Sequence, residues 1–287
     1  MLHPGQMGAA VAQCLAGRGH SVLWASEDRG PDTAARAKAA GLTDAGTAAA
    51  VAGQAEVILS ICPPHAAAGV ARAVRGFGGL YVDANAISPG TAHEIAGMIS
   101  DSGGRYVDGG IIGLPPVAPG GTRLYLSGPG AQAVADLFAG SALEARVIGD
   151  TLTAASALKM AYAGWTKGSA ALLLAVRALA RQEGVEDTLL AEWAVSQPSL
   201  EARSQGSARS ASGKGWRWVA EMEEIGASMA AAGLPGGFHQ AAAEVFRRVP
   251  GAGEEPADPA ADGAAGNGPA ADGGQVIDAV LAALPRR

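Results

Sequence analysis

Lys159 is the residue whose surroundings point most directly to proton chemistry. It lies in Thr151 to Glu183, a stretch without proline that predicts one long helix, interrupted in pattern only by Gly164 and Gly168. At about 100° per residue, Lys159, Tyr162 and Thr166 fall within about a 60° arc, with Ala163 on the same side. The rest of the helix is largely Ala, Leu and Met, so the three make a polar stripe. Apolar walls withdraw solvation from an ammonium, so its pKa drops toward neutrality and it can give and take a proton. A lysine at a helix end can equally snorkel to solvent. The residues alone leave both readings open.

A second set of residues points to phosphate. His3-Pro4-Gly5-Gln6-Met7-Gly8 directly precedes a helix-prone run, Ala9 to Gly17. Gly5 and Gly8 occupy the last two glycine positions of a G-x-G-x-x-G dinucleotide turn, with His3 where the first belongs. In such a turn the middle glycine admits a pyrophosphate to the backbone and the third lets the helix pack on its strand. The main-chain N–H groups near Gln6 and Met7 would meet the diphosphate. An ordinary loop before a helix is the alternative; the alternation of strands and helices that follows favours the dinucleotide turn. The strand that should enter this turn lies mid-sheet, yet only Met1 and Leu2 precede His3. Its absence would leave unpaired backbone on both neighbours, and the expectation is a native start upstream of Met1.

Those residues need a scaffold. Ser21 to Ala25, Glu56 to Cys62 (closed by Pro63-Pro64), Gly79 to Asp83 and Gly104 to Asp108 read as buried strands. Helices are expected over 33–40, 47–53, 65–74 and 91–102. This alternation predicts an α/β fold, a doubly wound parallel sheet with helices on both faces. After Gly149 the pattern is all helical, with segments at 187–195, 216–232, 239–249 and 275–284. The predicted division is therefore a Rossmann domain over 1–149 and an all-α domain over 150–287. Pro250 to Gly274 is almost wholly Gly, Ala, Pro, Asp and Glu and is expected to be a disordered loop. The final helix is expected to dock onto the helical domain.

At the end of the first strand, Ser26 stands where an NAD-selective site has an acid for the ribose hydroxyls. Ser26 and Arg29 would instead cradle a 2′-phosphate, although Glu27 and Asp28 are close and Arg29 also reads as a solvated loop cation. The expected cofactor is NADP, with NAD possible.

Composition narrows the partners. The chain of 287 residues is 48 % apolar but only 17 % charged, against a usual charged share of about 25 %, so any buried charge is informative. A net charge of −6 and the lack of a Lys/Arg run exclude nucleic acid as the expected partner. Two cysteines, Cys14 and Cys62, cannot frame a disulfide scaffold or a four-ligand zinc site, which suits a reducing cytoplasm. No stretch reaches the roughly 20 apolar residues of a membrane span, and no His/Asp/Glu cluster has metal-ligand spacing. The long helix has an apolar face too large for a small helical domain to cover, so a homodimer through the C-terminal domain is expected.

In order, HPGQMG (3–8), SICPP (60–64), YVDANAISP (81–89), YVDGGIIG (106–113) and ALKMAYAGWTKG (157–168) resemble the β-hydroxyacid dehydrogenase and 6-phosphogluconate dehydrogenase-like superfamily. The similarity is greatest to the branch with a C-terminal helical domain of uncharacterised function. The resemblance implies a Rossmann domain, an all-α domain and an active site between them, with the nicotinamide near Cys62, Pro63 and Asn85. It places the family's catalytic lysine on Lys159 and implies hydride transfer between NADP(H) and a small hydroxy or carbonyl compound. Two positions depart from the pattern. The substrate-gripping Ser-Gly-Gly loop corresponds to Ile112, Gly113 and Leu114, without a hydroxyl. The asparagine one turn after the lysine is replaced by Tyr162 or Ala163. Tyr162 as proton donor resembles the imine reductases of the same superfamily. His3 and Ile112 also suit a non-catalytic NADP(H)-binding sensor. Asn85 could contact substrate, as could Trp216 and His239; Trp216 also reads as core or interface packing, and His239 as a helix-start histidine satisfied by backbone.

Overall fold

The computed structural model describes residues 1–249 and 273–282. They form two compact units, Met1–Met160 and a second that begins at Ala161 and includes the last helix. The expected disorder over 250–274 lies outside the described residues, except for Gly273 and Gly274, which open that helix.

The first unit runs α1 (Gln6–Ala16), β1 (Leu23–Trp24), α2 (Pro31–Ala39), β2 (Thr43–Asp44), α3 (Ala48–Gln54), β3 (Val57–Ser60), a 3-10 turn (Pro64–Ala66), α4 (Ala67–Ala73), β4 (Leu80–Asp83), α5 (Pro89–Ser100), β5 (Arg105–Ile112), β6 (Thr122–Ser127), α6 (Ala131–Leu137) and β7 (Leu143–Val147). Local chemistry sets several starts. Pro31 and Pro89 supply a preset φ at the first helical position, and Thr47 and Ser88 accept N–H bonds as side-chain caps.

Strands β3-β4-β5-β6-β7 form one sheet and β1-β2 another. Pairing is parallel except for β5 with β6, which run antiparallel from Asp108 opposite Ser127 to Ile112 opposite Arg123. Adjacent residues on the strands bury on opposite faces. Leu59, Val82 and Val107 join α1 and α6 in one apolar cluster; Ile58, Tyr81 and Tyr106 join α4 and α5 in another. That two-residue alternation gives the sheet two cores, as a doubly wound fold requires. The elements from 109 to 149 were not foreseen, because their Gly- and Pro-rich opening hides the strand pattern.

Met1 and Leu2 lie between the two sheets. The Met1 ammonium donates to Leu23 O at 2.9 Å and the Leu2 N–H to Leu59 O at 3.3 Å. These two buried residues hold the position of the strand that enters the glycine turn. A cavity of about 480 Å³, lined by Met1, Val22, Leu23, Val57 and Leu59 among others, opens beside them.

Helix α7 (Ala154–Gln182) begins in the first unit, whose extent to Met160 takes in its first turns. The second unit continues with α8 (Glu186–Ser196), α9 (Leu200–Ala231), α10 (Gly237–Arg247) and α11 (Gly273–Ala282). Helix α9 starts well before the expected residue 216. Its first half buries small residues, Ser204, Ala208 and Ala211, at a helical spacing that apolar periodicity does not register. Arg177 donates to Ser204 Oγ at 3.1 Å and pairs with Glu186 at 2.5 Å. Arg181 joins Glu186 to Asp278 of α11 and donates to Gly274 O at 3.0 Å. With Val276, Ile277 and Val280 buried, the last helix docks in the helical unit as expected.

Candidate functional site

Helix α1 begins at Gln6 after Gly5, and no side chain caps it. Its first-turn N–H groups are the kind of positive helix end that takes an anion. Gly8 is obligatory on steric grounds, since a Cβ there would stand 2.2 Å from His3 O. A Cβ at Gly5 would meet nothing within 4 Å, which leaves that side of the turn open. Gln6 and Met7 are half-buried in the first helical turn.

The turn is flanked by arginines. Arg29 lies 2.6 Å from His3 Nε2 through Nη2, and Arg36 of α2 donates to Pro4 O at 3.5 Å and to Thr33 Oγ1 at 3.1 Å. Burial, then the Arg29 charge, lowers the His3 pKa to about 4. The ring is therefore neutral near pH 7, and Nε2 accepts from the guanidinium, which is always a donor. Arg29 is turned toward His3 by a tight turn: its N–H bonds Ser26 O at 3.1 Å, and Asp28 takes a left-handed φ of 58°. Ser26 is half-buried; Glu27 and Asp28 are exposed.

At the carboxyl ends of β3 and β4, Asn85 joins the strands. Its Oδ1 accepts from the Cys62 N–H at 2.6 Å and its Nδ2 donates to Ser60 Oγ at 3.0 Å, while its own N–H bonds Asp83 Oδ1 at 3.0 Å. The buried Asn85 side chain is thus committed to shaping the Cys62-Pro63 turn. Burial pushes the Cys62 thiol up to about 12, so it stays protonated. Asp83 is pushed up to about 7, first by burial, with Asp108 adding to the rise.

Lys159 is positioned by β5. A Cβ on Gly110 would stand 2.9 Å from Ala155 O and 3.2 Å from Lys159 Cβ, so glycine is what lets α7 lie on the strand backbone. Asp108 then caps the helix. It accepts from the Ser156 N–H at 2.7 Å, Ser156 Oγ at 2.6 Å and Ser127 Oγ at 3.3 Å, while Ser127 Oγ accepts from the Ala155 N–H at 3.0 Å. One turn on, Lys159 Nζ donates to Ile111 O at 2.8 Å. Burial lowers its pKa from 10.5 to about 8. Lys159 is half-buried, with its ammonium turned to the β5 backbone. Ile112 is buried in β5, whereas Leu114, beyond the left-handed Gly113 (φ 131°), is exposed.

In the second unit, Tyr162 is half-exposed on α7 and Thr166 Oγ1 donates back to Tyr162 O at 3.1 Å. His239 is buried with Nε2 3.3 Å from Gly164 O, in space that Gly164 and Gly168 leave open. Its Nε2 is thus held by backbone, while its Nδ1 is buried without a partner among the described residues. Trp216 lies under Arg217 at 5.1 Å, and Trp218 meets Phe246 edge-on at 5.1 Å. Lys167 pairs with Glu221. Asp108, Ser127, Ser156, Asp83 and Arg36 did not emerge from the sequence. Their signal was present in part: Asp83 and Asp108 each follow Tyr-Val inside an apolar strand, where a charge needs a reason. Among the described residues, no cluster could hold a metal ion and no helix is long and apolar enough to cross a membrane.

Residues 4–144 match the NAD binding domain of 6-phosphogluconate dehydrogenase, and residues 180–249 match a domain of unknown function, DUF1932. An uncharacterised 28.5 kDa protein of Methanothermus fervidus is 32 % identical over 136 residues, 47 % of this chain; the match spans 52 % of that relative's length. The solved structure of the conserved protein MTH1747, of unknown function and described as similar to 3-hydroxyacid dehydrogenases, is 26 % identical with a TM-score of 0.64, over 86 % of this chain and 95 % of the other. An imine reductase from Myxococcus stipitatus, solved with NADP+, shares the fold at 20 % identity and a TM-score of 0.53, over 84 % of this chain and 90 % of that one. The chain thus pairs an NAD-binding domain of the 6-phosphogluconate dehydrogenase kind with a DUF1932 domain. The uncapped α1 start and the open side of Gly5 fit a dinucleotide diphosphate.

Proposed function

We propose that this protein is an NADP(H)-preferring oxidoreductase acting on a small carbonyl or hydroxy compound, with Lys159 as general acid and base. Gly5, Gln6, Met7 and Gly8 would hold the diphosphate, Ser26 and Arg29 the adenosine ribose, and the Cys62-Pro63 turn shaped by Asn85 the nicotinamide. Bound there, the dinucleotide supplies or accepts the hydride at the substrate carbon. The observation that carries the reading is the half-buried Lys159 with one N–H on Ile111 O at 2.8 Å. Of the three ammonium donors, two then remain for a substrate oxygen. In reduction Lys159 gives its proton to the oxygen as the carbon gains hydride; in oxidation it takes the hydroxyl proton. A pKa of about 8 lets it do both near neutrality.

Ile112 and Leu114 in place of a hydroxyl-bearing loop favour a substrate less dependent on carboxylate recognition. That same feature, with the half-exposed Tyr162 three residues after Lys159, supports imine reduction with Tyr162 as donor as the second reading. NADPH and NADH titrations, followed by turnover screens of carbonyls and cyclic imines with Lys159→Ala and Tyr162→Phe, separate the two. Loss only in Lys159→Ala supports the first reading, and loss only in Tyr162→Phe the second. If neither slows any accepted substrate, both assignments are wrong. Binding without any turnover supports the sensor. On α7, Trp165, Leu172 and Leu179 are exposed at seven-residue spacing, an apolar seam that supports a homodimer through the helical half. A monomer by light scattering at micromolar concentration contradicts it.

A further inference from the structure

The position that normally carries the first glycine of a dinucleotide turn here carries a side chain, and that side chain grips an arginine. We propose that His3 is a specificity-determining residue: it holds Arg29 against the glycine turn so that the guanidinium meets the 2′-phosphomonoester of a bound dinucleotide. The inference rests on the nicotinamide-cofactor reading above and goes beyond it in assigning the choice of cofactor to a histidine within the phosphate turn.

Four observations converge. The Arg29 Nη2 to His3 Nε2 separation of 2.6 Å is a short bond between residues 26 apart in sequence, so Arg29 is not a solvated loop cation. The turn that aims it is built for the purpose, with the Arg29 N–H on Ser26 O and Asp28 in the left-handed region that Asp tolerates better than most residues. His3 Nδ1 and Arg29 Nε are both buried without an acceptor among the described residues. This corner is short of acceptors, and a phosphomonoester supplies mainly acceptors. Finally, the two acids that would read ribose hydroxyls, Glu27 and Asp28, are exposed, while Arg36 adds a second guanidinium at Pro4 O. A neutral imidazole is the suitable clamp, because it accepts from Arg29 without cancelling the positive charge as a carboxylate would.

The test is calorimetric titration of the full chain with NADPH, NADH, adenosine 2′,5′-bisphosphate and AMP. Wild type should prefer the 2′-phosphorylated member of each pair by about 10- to 100-fold, the range of one charge-assisted hydrogen-bond set. His3→Ala should cut that preference about 3- to 10-fold with AMP binding unchanged; His3→Gln, whose amide oxygen can accept from Arg29, should keep most of it. Arg29→Ala should abolish it. If His3→Ala fails to fold, His3→Leu, which fills the space but cannot accept from Arg29, should show the same loss where His3→Gln does not. An unchanged preference in His3→Ala, or an equal weakening of both ligands, overturns the inference while leaving the cofactor reading intact. So does a wild type that binds NADPH and NADH alike. A wild type that binds neither removes the cofactor reading and the inference with it.

Discussion

Replacing Lys159 by Met tests the buried ammonium without needing a substrate. The side chain keeps its unbranched length and loses its charge. Burial lowers the lysine pKa from 10.5 to about 8, a change equivalent to about 3 kcal/mol. Below pH 8 folded and unfolded chains both hold the proton, and the penalty is constant. Between pH 8 and 10.5 the unfolded chain still holds a proton that the folded chain has released, so stability rises with pH. The wild type should therefore gain about 3 kcal/mol relative to Lys159→Met across that interval. At pH 7 the variant escapes the burial cost but loses a charged hydrogen bond to Ile111 O worth about 1.5–3 kcal/mol, so it should be about 1 kcal/mol more stable. Urea denaturation of both proteins from pH 7 to 10.5 reads the difference directly, since groups common to both cancel. Parallel curves over that range would show that Lys159 is solvated, and the general acid–base argument would fail.

Asp83 carries the opposite sign. Its folded pKa of about 7 against 3.8 unfolded means the native state holds the extra proton, so stability falls as pH rises through that window, by up to about 4 kcal/mol; Asp83→Asn should flatten the decline in a pH series of thermal melts. Asp108→Ala strips acceptors from Ser156 and Ser127 and should cost about 3 kcal/mol by chemical denaturation, with a much smaller loss in Asp108→Asn. Gly8→Ala must displace the His3 carbonyl, at about 1–3 kcal/mol or more by urea denaturation, whereas Gly5→Ala should leave folding nearly unchanged and weaken NADPH in calorimetry. Glu186→Gln leaves Arg177 and Arg181 without their shared carboxylate and should lower stability by about 3 kcal/mol, measured as a shift of the urea midpoint.

The strand and helix alternation up to Asp108 was legible because two-faced burial writes itself into runs such as Leu80-Tyr81-Val82. The long α7 was legible from its lack of breakers, and Lys159 from its apolar neighbours. What the sequence hid has a common cause: contacts made by small or polar groups across long separations. Gly109-Gly110 reads as a loop until a helix is laid on it. Ser204 carries no apolar signal, and its burial shows only when Arg177 of α7 reaches it. His3 looked like a defect in a glycine motif, because no local pattern reveals that residue 29 returns to it. The bonds that tie Asn85 to Cys62 and Ser60 across β3 and β4 have no local signal either, because their partners lie more than twenty residues away.

The staple from Asp108 to Ser156 fixes where this protein can be cut. A fragment ending at Gly149, where the sequence pattern changes, would retain a carboxylate in the heart of the sheet after discarding Ser156, its principal donor. Carrying the fragment on to Met160 keeps the donor and the glycine-seated helical turn together. The compact amino-terminal unit therefore takes in the opening of a helix whose remainder belongs to the second unit.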